Sequence, residues 1–520
     1  MASNKVQEIA NAPTRKSNLP IGLPKNTQSL CPECKSVIDA KIFEENGKVM
    51  IEKECKEHGK FKDVYWSDVD LYLNVEAYAY DGEGISNPRT EVKTSCPGNC
   101  GLCDEHLSHT ALGNLDLTNR CNLKCPICFA NANAAGYVYE PSFNEVVKML
   151  ENLRANKPVP GVAVQFSGGE PTIYPQFFEA VAKAKDLGFS QIQVATNGIK
   201  MAKDPNFAVR MRDAGVKTVY LQFDGFKDED YVAARGVPLL KTKLQAIENA
   251  RNVKPRPLGI MLVPTIVNTI NDDQCGDIVK FAVKNIEVIR GVNFQPVSFT
   301  GRISQEEREK ERFTLPDLVD RLKKQTGFID ENDWFPVPCV SAISDFVGAL
   351  RGEDQIKFTA HPHCGIATFL YVENGNAIPI TRFLDADGLF AALHKITEKS
   401  KGKKLGTIDK LKLVGLRKYI DKDKAPKELK LSQVLKNILG TGQRKAIAEF
   451  VWKTQMIGGM HFQDLYNYDI DRVRRCVIHY TVPDGRIIPF CSYNGGPFYR
   501  EEIEQKFSIP LEEYRNQKKA

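Results

Sequence analysis

Between Leu112 and Pro296, short β-rich runs alternate with amphipathic helical stretches. ALGNLDL, VAVQFS, IQVAT, TVYLQF, IMLVPTI and VNFQPV are the strand-like runs; SFNEVVKMLENL, FFEAVAKAKDL and LQAIENARN are among the helical segments between them. Connections of that length cross over instead of turning back as hairpins, so successive strands run parallel. Six such units predict an α/β fold, a partial (β/α)6 TIM-like barrel, with function at the carboxyl ends of the strands.

Those ends carry chemistry. The first run leads into LTNRCNLKCPICFANA, where Cys121, Cys125 and Cys128 are spaced C-x3-C-x2-C. Three thiolates are one short of the terminal ligands that a four-iron cube takes, which leaves one iron open to a small molecule. The second run ends in SGGEP, where Gly168 and Gly169 let a ligand approach the backbone beside Glu170. The third ends in ATNG with Asn197, and the fourth in QFDG with Gln222 and Asp224.

Upstream, CPEC and CKEHG flank an alternating segment with a central Asn-Gly, the pattern of a β-hairpin. Cys31, Cys34, Cys55 and His58 then form a ribbon-type knuckle for one zinc or one rubredoxin-like iron. CPGNCGLC repeats the C-x3-C-x2-C spacing at Cys96, Cys100 and Cys103, but no apolar strand leads into it. It is expected to hold an auxiliary cluster completed from a distance, the alternative being a zinc site that uses His106 or His109. Cys339, Cys364, Cys476 and Cys491 are candidates to complete that cluster and to supply another. The plain alternative for each is a small buried hydrophobe, which is the reading taken for Cys275.

The expected organisation is a tail over 1–28, a metal ribbon over 29–95 and an auxiliary cluster segment over 96–110. The barrel follows over 111–300, and an α+β region with auxiliary clusters and a lipid-facing surface over 301–520. Fourteen cysteines behind a polar N-terminus (MASNKVQEIANAPTRKSNLP) point to metal binding in a reducing cytoplasm, not to a disulfide framework. No run is apolar enough to span a membrane. The formal net charge is +6, and residues 395–445 hold a basic excess with interleaved apolar residues (LKLVGLRKYI, LSQVLKNILG). That pattern suits a solvated helical surface or an anionic membrane surface better than nucleic acid.

C-x3-C-x2-C after the first strand, GGE after the second and six strand–helix units resemble the radical SAM superfamily over residues 111–300. The resemblance implies S-adenosylmethionine (SAM) on the open iron of a [4Fe-4S] cluster held by Cys121, Cys125 and Cys128. Gly168, Gly169 and Glu170 are then implied near its methionine amino group, with Asn197, Gln222 and Asp224 near ribose or carboxylate. The superfamily usually has an aromatic residue just before the third cysteine, near adenine; here Ile127 takes that place and Phe129 is the nearest aromatic.

The order CPEC…KECKEHG, YWSDVD, CPGNCGLCDEH and HPHCG further resembles an archaeal-type subgroup that includes the tetraether lipid synthase. The implied activity is coupling of terminal sp3 carbons of isoprenoid lipid chains, an auxiliary cluster holding the first substrate radical. Its implied partners are a lipid substrate, an anionic membrane surface met peripherally from the cytoplasm, and ferredoxin or flavodoxin as electron donor. Relatives in the subgroup are methyltransferases acting on 7,8-dihydro-6-hydroxymethylpterin, which is the alternative; a non-catalytic iron–sulfur electron carrier is a further one. A long apolar tunnel would mark the lipid activity, and a small polar pocket the pterin activity.

Overall fold

The structure is a computed structural model describing residues 2–93, 95–128, 130, 132–133, 135–299, 304–400, 413–426, 429, 452–496 and 499–517. Near the N-terminus, β1 (Lys25–Leu30), β2 (Val37–Glu45), β3 (Lys48–Cys55) and β4 (Gly59–Trp66) form an antiparallel ribbon. Asn46 and Gly47 join β2 to β3 with φ of 53° and 76°, the left-handed geometry that an Asn-Gly turn adopts at least cost. The preceding segment wraps back onto the chain: the Arg15 guanidinium donates to the Glu76 carbonyl at 2.6 Å.

The six expected barrel strands are β5 (Leu112–Thr118), β6 (Ala163–Gly168), β7 (Gln191–Thr196), β8 (Thr218–Gln222), β9 (Gly259–Val263) and β10 (Ile289–Pro296). They lie side by side in chain order, every pair parallel. Strand alternation divides their faces. Val164, Phe166, Ile192, Val194, Val219 and Leu221 are fully buried in one apolar core with helices such as Phe143–Arg154 and Phe177–Asp186. Gln165, Gln193, Tyr220 and Asn293 alternate with these core residues and so turn to the concave face.

Strands from beyond residue 300 extend this sheet, among them β11 (Gly365–Glu373), β12 (Thr454–Met460), β13 (Ile478–Thr481) and β14 (Ile487–Pro489). β12 pairs parallel with β10, and β13 pairs parallel with β5, so the later residues cover both edges of the barrel sheet. β11 and β14 then add antiparallel on the outside. The region after residue 300 is therefore not a body apart from the barrel. Its strands satisfy backbone groups that two open edges would leave unpaired. Most of 395–445, and with it the expected basic surface, lies outside the described residues. Among the described residues no helix is long and apolar enough to cross a membrane.

Buried ion pairs tie the parts together. Arg312 donates from Nη1 to Asp464 at 2.6 Å and from Nε to Asp63 of β4 at 3.2 Å, while Arg308 also donates to Asp63. Asp464 in turn accepts from the Phe299 amide, just past β10, at 3.1 Å. Removing the shared cation leaves buried Asp464 without a charge partner and Asp63 with Arg308 alone. Arg312→Met is expected to lower the unfolding free energy by about 3–5 kcal/mol, read as a fall in the denaturant midpoint.

Candidate active site and metal centres

β5 delivers the chain into the loop from Cys121 to Cys128, and two side chains hold that loop in place. Asn133 accepts from the Cys121 amide at 3.1 Å and donates to the carbonyls of Cys121 and Leu123 at 2.8 and 2.9 Å. Arg235 donates to the Ile127 carbonyl at 2.9 Å. Its other nitrogens grip both oxygens of Asp224 at 2.9 and 2.8 Å. Burial pushes the Cys121 thiol up to about 12 and raises Cys125, against which the Arg235 and Lys243 charges pull. A metal ligand must be the thiolate, so iron binding here displaces protons that the empty loop would keep.

The second strand end closes onto this loop. Gly169 N donates to Thr118 O at 2.7 Å, and Glu170 N donates to Arg120 O at 2.9 Å. A Cβ at Gly168 would stand 2.3 Å from Thr118 O, and one at Gly169 would stand 2.2 Å from Arg120 O. Gly168 also has φ of +121°, which side chains disfavour. The Glu170 carboxylate accepts at Oε1 from the Thr172 amide (3.2 Å) and from the Thr172 and Thr196 hydroxyls. Oε2 accepts from the Asn197 amide at 2.9 Å and retains one acceptor position. Asn197 reaches back into the cysteine loop, donating to Asn122 Oδ1 at 2.6 Å.

The fourth strand end joins the same network. Gln222 donates to Asp224 at 2.9 Å, and Lys243 donates to Asn197 O and to Gln222 Oε1 at 2.6 and 3.1 Å. Lys243 is fully buried, and desolvation lowers its ammonium to about 8. Cys121, Cys125, Gly168, Gly169, Glu170, Asn197, Gln222 and Asp224 thus belong to one contiguous region. Phe129 lies outside the described residues, and Ile127 packs with Val267, Val297 and Phe299. Arg235, Lys243 and Asn133 escaped the sequence reading, because charged or amide residues on helices and loops look solvent-facing until their partners are known.

In the ribbon, the donor atoms of Cys31, Cys34, Cys55 and His58 all lie within 4.8 Å of one another. His58 Nδ1 is 3.7 Å from Cys31 Sγ and 3.5 Å from Cys55 Sγ, and Cys34 Sγ is 3.9 Å from Cys55 Sγ. These are the edges of a tetrahedron around an ion with bonds of about 2.3 Å to sulfur and 2.0–2.1 Å to nitrogen. The Ser36 hydroxyl and amide hold the Cys34 thiol down to about 6, poised for metal. Three cysteines and one histidine make a mixed set that zinc commonly takes. Purified protein is expected to carry one zinc in this ribbon, lost on Cys34→Ser; elemental analysis that finds iron without zinc would reject the assignment.

The other cysteines separate into unequal groups. Burial, opposed by Arg474 and aided by Cys103, raises the Cys96 thiol to about 12, and Cys100 is raised by burial and by Cys96, Cys103 and Cys476. Cys476 is raised by burial, Cys491 and Cys364, and Cys491 to about 11 by burial and Cys364, against Arg472. Cys100 and Cys491 belong to one buried cluster, with Cys96 and Cys476 packed against it. His106 Nε2 lies 3.0 Å from His479 Nε2 and 2.9 Å from Cys476 O. Cys339 is brought to neither group; it lies in an apolar cluster with Ala342, Phe346 and Phe390, as a small hydrophobe does. Cys275 is likewise buried in the barrel core.

Residues 23–67 match the HMPTM N-terminal zinc ribbon domain, and residues 115–282 match the radical SAM superfamily. Over 503 residues the chain is 46% identical to a 7,8-dihydro-6-hydroxymethylpterin dimethyltransferase of Methanocaldococcus jannaschii, covering 96% of this chain and 98% of that one. It is a radical SAM protein of that enzyme's family. A GTP 3',8-cyclase of Clostridium acetobutylicum is 24% identical over 42% of this chain and 65% of its own. A crystal structure of Streptococcus suis SuiB bound to S-adenosylmethionine is 18% identical, covers 42% of this chain and 47% of that one, and has a TM-score of 0.33.

This radical SAM protein carries a [4Fe-4S] cluster and uses SAM, and its ribbon offers a Cys3His metal site. The expectation of lipid-chain coupling is overturned by the full-length match to a pterin dimethyltransferase. With it go the lipid substrate and the membrane partner. Neither the number of cysteines nor the basic 395–445 segment specifies what enters the barrel.

Lys243 offers a direct test of how the protein tunes this cluster. Its buried charge lies close enough to Cys125 to oppose the rise of that thiol. Net charge and hydrogen bonding set iron–sulfur potentials. Lys243→Met is expected to move the midpoint of the SAM-binding cluster to more negative potential in an EPR-monitored redox titration.

Proposed function

We propose that this radical SAM protein methylates a reduced pterin, with 7,8-dihydro-6-hydroxymethylpterin as its substrate. The observation that carries the reading is 46% identity, over nearly the whole of both chains, to an enzyme of that name. The concave face supports it physically. Asn114, Gln165, Gln193, Tyr220 and Asn293 present neutral hydrogen-bonding groups there. A hydrocarbon chain would leave Oε1 of Gln165 and of Gln193 without a donor, whereas a flat nitrogen heterocycle engages them.

In this reading Cys121, Cys125 and Cys128 hold the cluster to which SAM binds. Bound there, the cofactor supplies one-electron cleavage of the sulfonium S–C5′ bond and a 5′-deoxyadenosyl radical. Gly168 and Gly169 present bare backbone to the methionine moiety, and the remaining acceptor position of Glu170 Oε2 faces its ammonium. Asn197, Gln222 and Asp224 hold the neighbouring strand ends in register, with Lys243 and Arg235 balancing the thiolate charge. Cys96, Cys100 and Cys103 with Cys364, Cys476 and Cys491 serve auxiliary clusters. The ribbon over 29–95 takes zinc. A small reducing partner such as ferredoxin or flavodoxin supplies the electron, and a cytoplasmic setting keeps the thiols reduced.

Anaerobic turnover of 7,8-dihydro-6-hydroxymethylpterin with SAM as radical source, dithionite as reductant and a separate one-carbon donor (a second SAM in one arm, a methylene-bearing reduced pterin in the other) is expected to give products in which one and then two hydrogens are replaced by methyl groups. Unmodified pterin beside continued SAM cleavage would reject the assignment. Cys125→Ala is expected to abolish 5′-deoxyadenosine formation altogether, measured by chromatography of quenched reactions.

A further inference from the structure

β6 and β7 set Gln165 and Gln193 side by side as Cα partners, and β5 sets Asn114 beside Gln165. Their sequence neighbours Leu115, Val164, Phe166, Ile192 and Val194 lie in the apolar core with the outer helices, which turns these three amides to the concave face. Asn114 is 1% exposed and Gln165 is 9% exposed. Gln165 Nε2 donates to Asn114 Oδ1 at 3.1 Å, which commits one end of the Gln165 amide. Its Oε1 has no partner among the described residues, nor has Oε1 of Gln193, although both oxygens are closed off from solvent.

A buried acceptor without a donor is costly, and native folds supply most of them with a partner. Two orphan acceptors on adjacent strands of one lumen therefore mark where a ligand brings N–H groups. The row contains no lysine, arginine or carboxylate, so a phosphate or a carboxylate would find no countercharge in it. Adjacent neutral N–H donors are what a 2-amino-4-oxopyrimidine ring offers, from its exocyclic amine and its N3–H.

We propose that Gln165 and Gln193 form the recognition row for the aminopyrimidinone edge of the substrate, accepting hydrogen bonds from its 2-amino group and N3–H. This assignment rests on the pterin reading above. It makes the two glutamines specificity determinants, one layer below the glycine corner.

The test is anaerobic equilibrium binding of 7,8-dihydro-6-hydroxymethylpterin to the full-length, cluster-loaded protein. Gln165→Leu and Gln193→Leu are each expected to weaken binding about tenfold, roughly the worth of one hydrogen bond. An analogue with hydrogen in place of the 2-amino group is expected to bind the parent protein about tenfold less tightly and to lose little further affinity in the leucine variants. Thermal unfolding and zinc content identify any variant that fails to fold, and the analogue arm needs no variant. Equal binding of analogue and substrate by the parent protein would overturn the assignment while leaving pterin methylation standing. No binding of the pterin by the parent protein would overturn both.

Discussion

The site depends on two backbone hydrogen bonds, Gly169 N to Thr118 O and Glu170 N to Arg120 O. They set the end of β6 directly against the chain entering the cysteine loop, with no side chain between. Only glycine permits the approach, because a Cβ at either glycine would stand inside a carbonyl oxygen. The contact then propagates. Glu170 binds the Thr196 hydroxyl and the Asn197 amide, and Asn197 returns to Asn122. Cysteine loop, glycine corner and third strand end form a closed ring in which each member fixes the next.

Charge is balanced below that ring. Three thiolates in a half-buried loop repel one another, and burial penalises those of Cys121 and Cys125 further. Arg235 and Lys243 answer this from the helices after β8, and Asp224 keeps the two cations from overcompensating. Arg235 also binds the Ile127 carbonyl, so one guanidinium both neutralises and shapes the loop. Truncating either cation would alter electrostatics and geometry together, which is why a redox midpoint is a more specific readout than turnover.

The six barrel strands were legible because each alternates between a helix-packed face and a concave face, and the crossover lengths force parallel pairing. The knuckle was legible because its ligands lie at fixed offsets around one hairpin. β12 and β13 were not, since the partner of each is remote in sequence. The auxiliary cysteines were countable but not assignable: nothing local distinguishes Cys339, in an apolar cluster, from Cys364, which accepts from Arg472 Nε at 3.4 Å. The substrate was not legible for a related reason: cysteine number leaves it open, and Asn114, Gln165, Gln193 and Asn293 show their common direction only once the strands are paired. Lumen chemistry constrains the ligand more than cluster number does, because every buried amide must find a partner.

The match to the radical SAM superfamily stops at residue 282, yet the later residues reach the glycine corner physically. Cys100 and Cys491 are bedded in an aromatic cluster with Tyr480 and Tyr493, whose rings stack 4.2 Å apart. Arg500 lies 4.7 Å from the Tyr493 ring and donates to Asp116 Oδ2 at 2.6 Å. Asp116 accepts from Ser167, the residue before Gly168, at 2.7 Å. Packing around the auxiliary cysteines is thus continuous with the strand end proposed to receive SAM. A change there need not touch the first three cysteines to disturb them, and the C-terminal region is accordingly part of the active site's support.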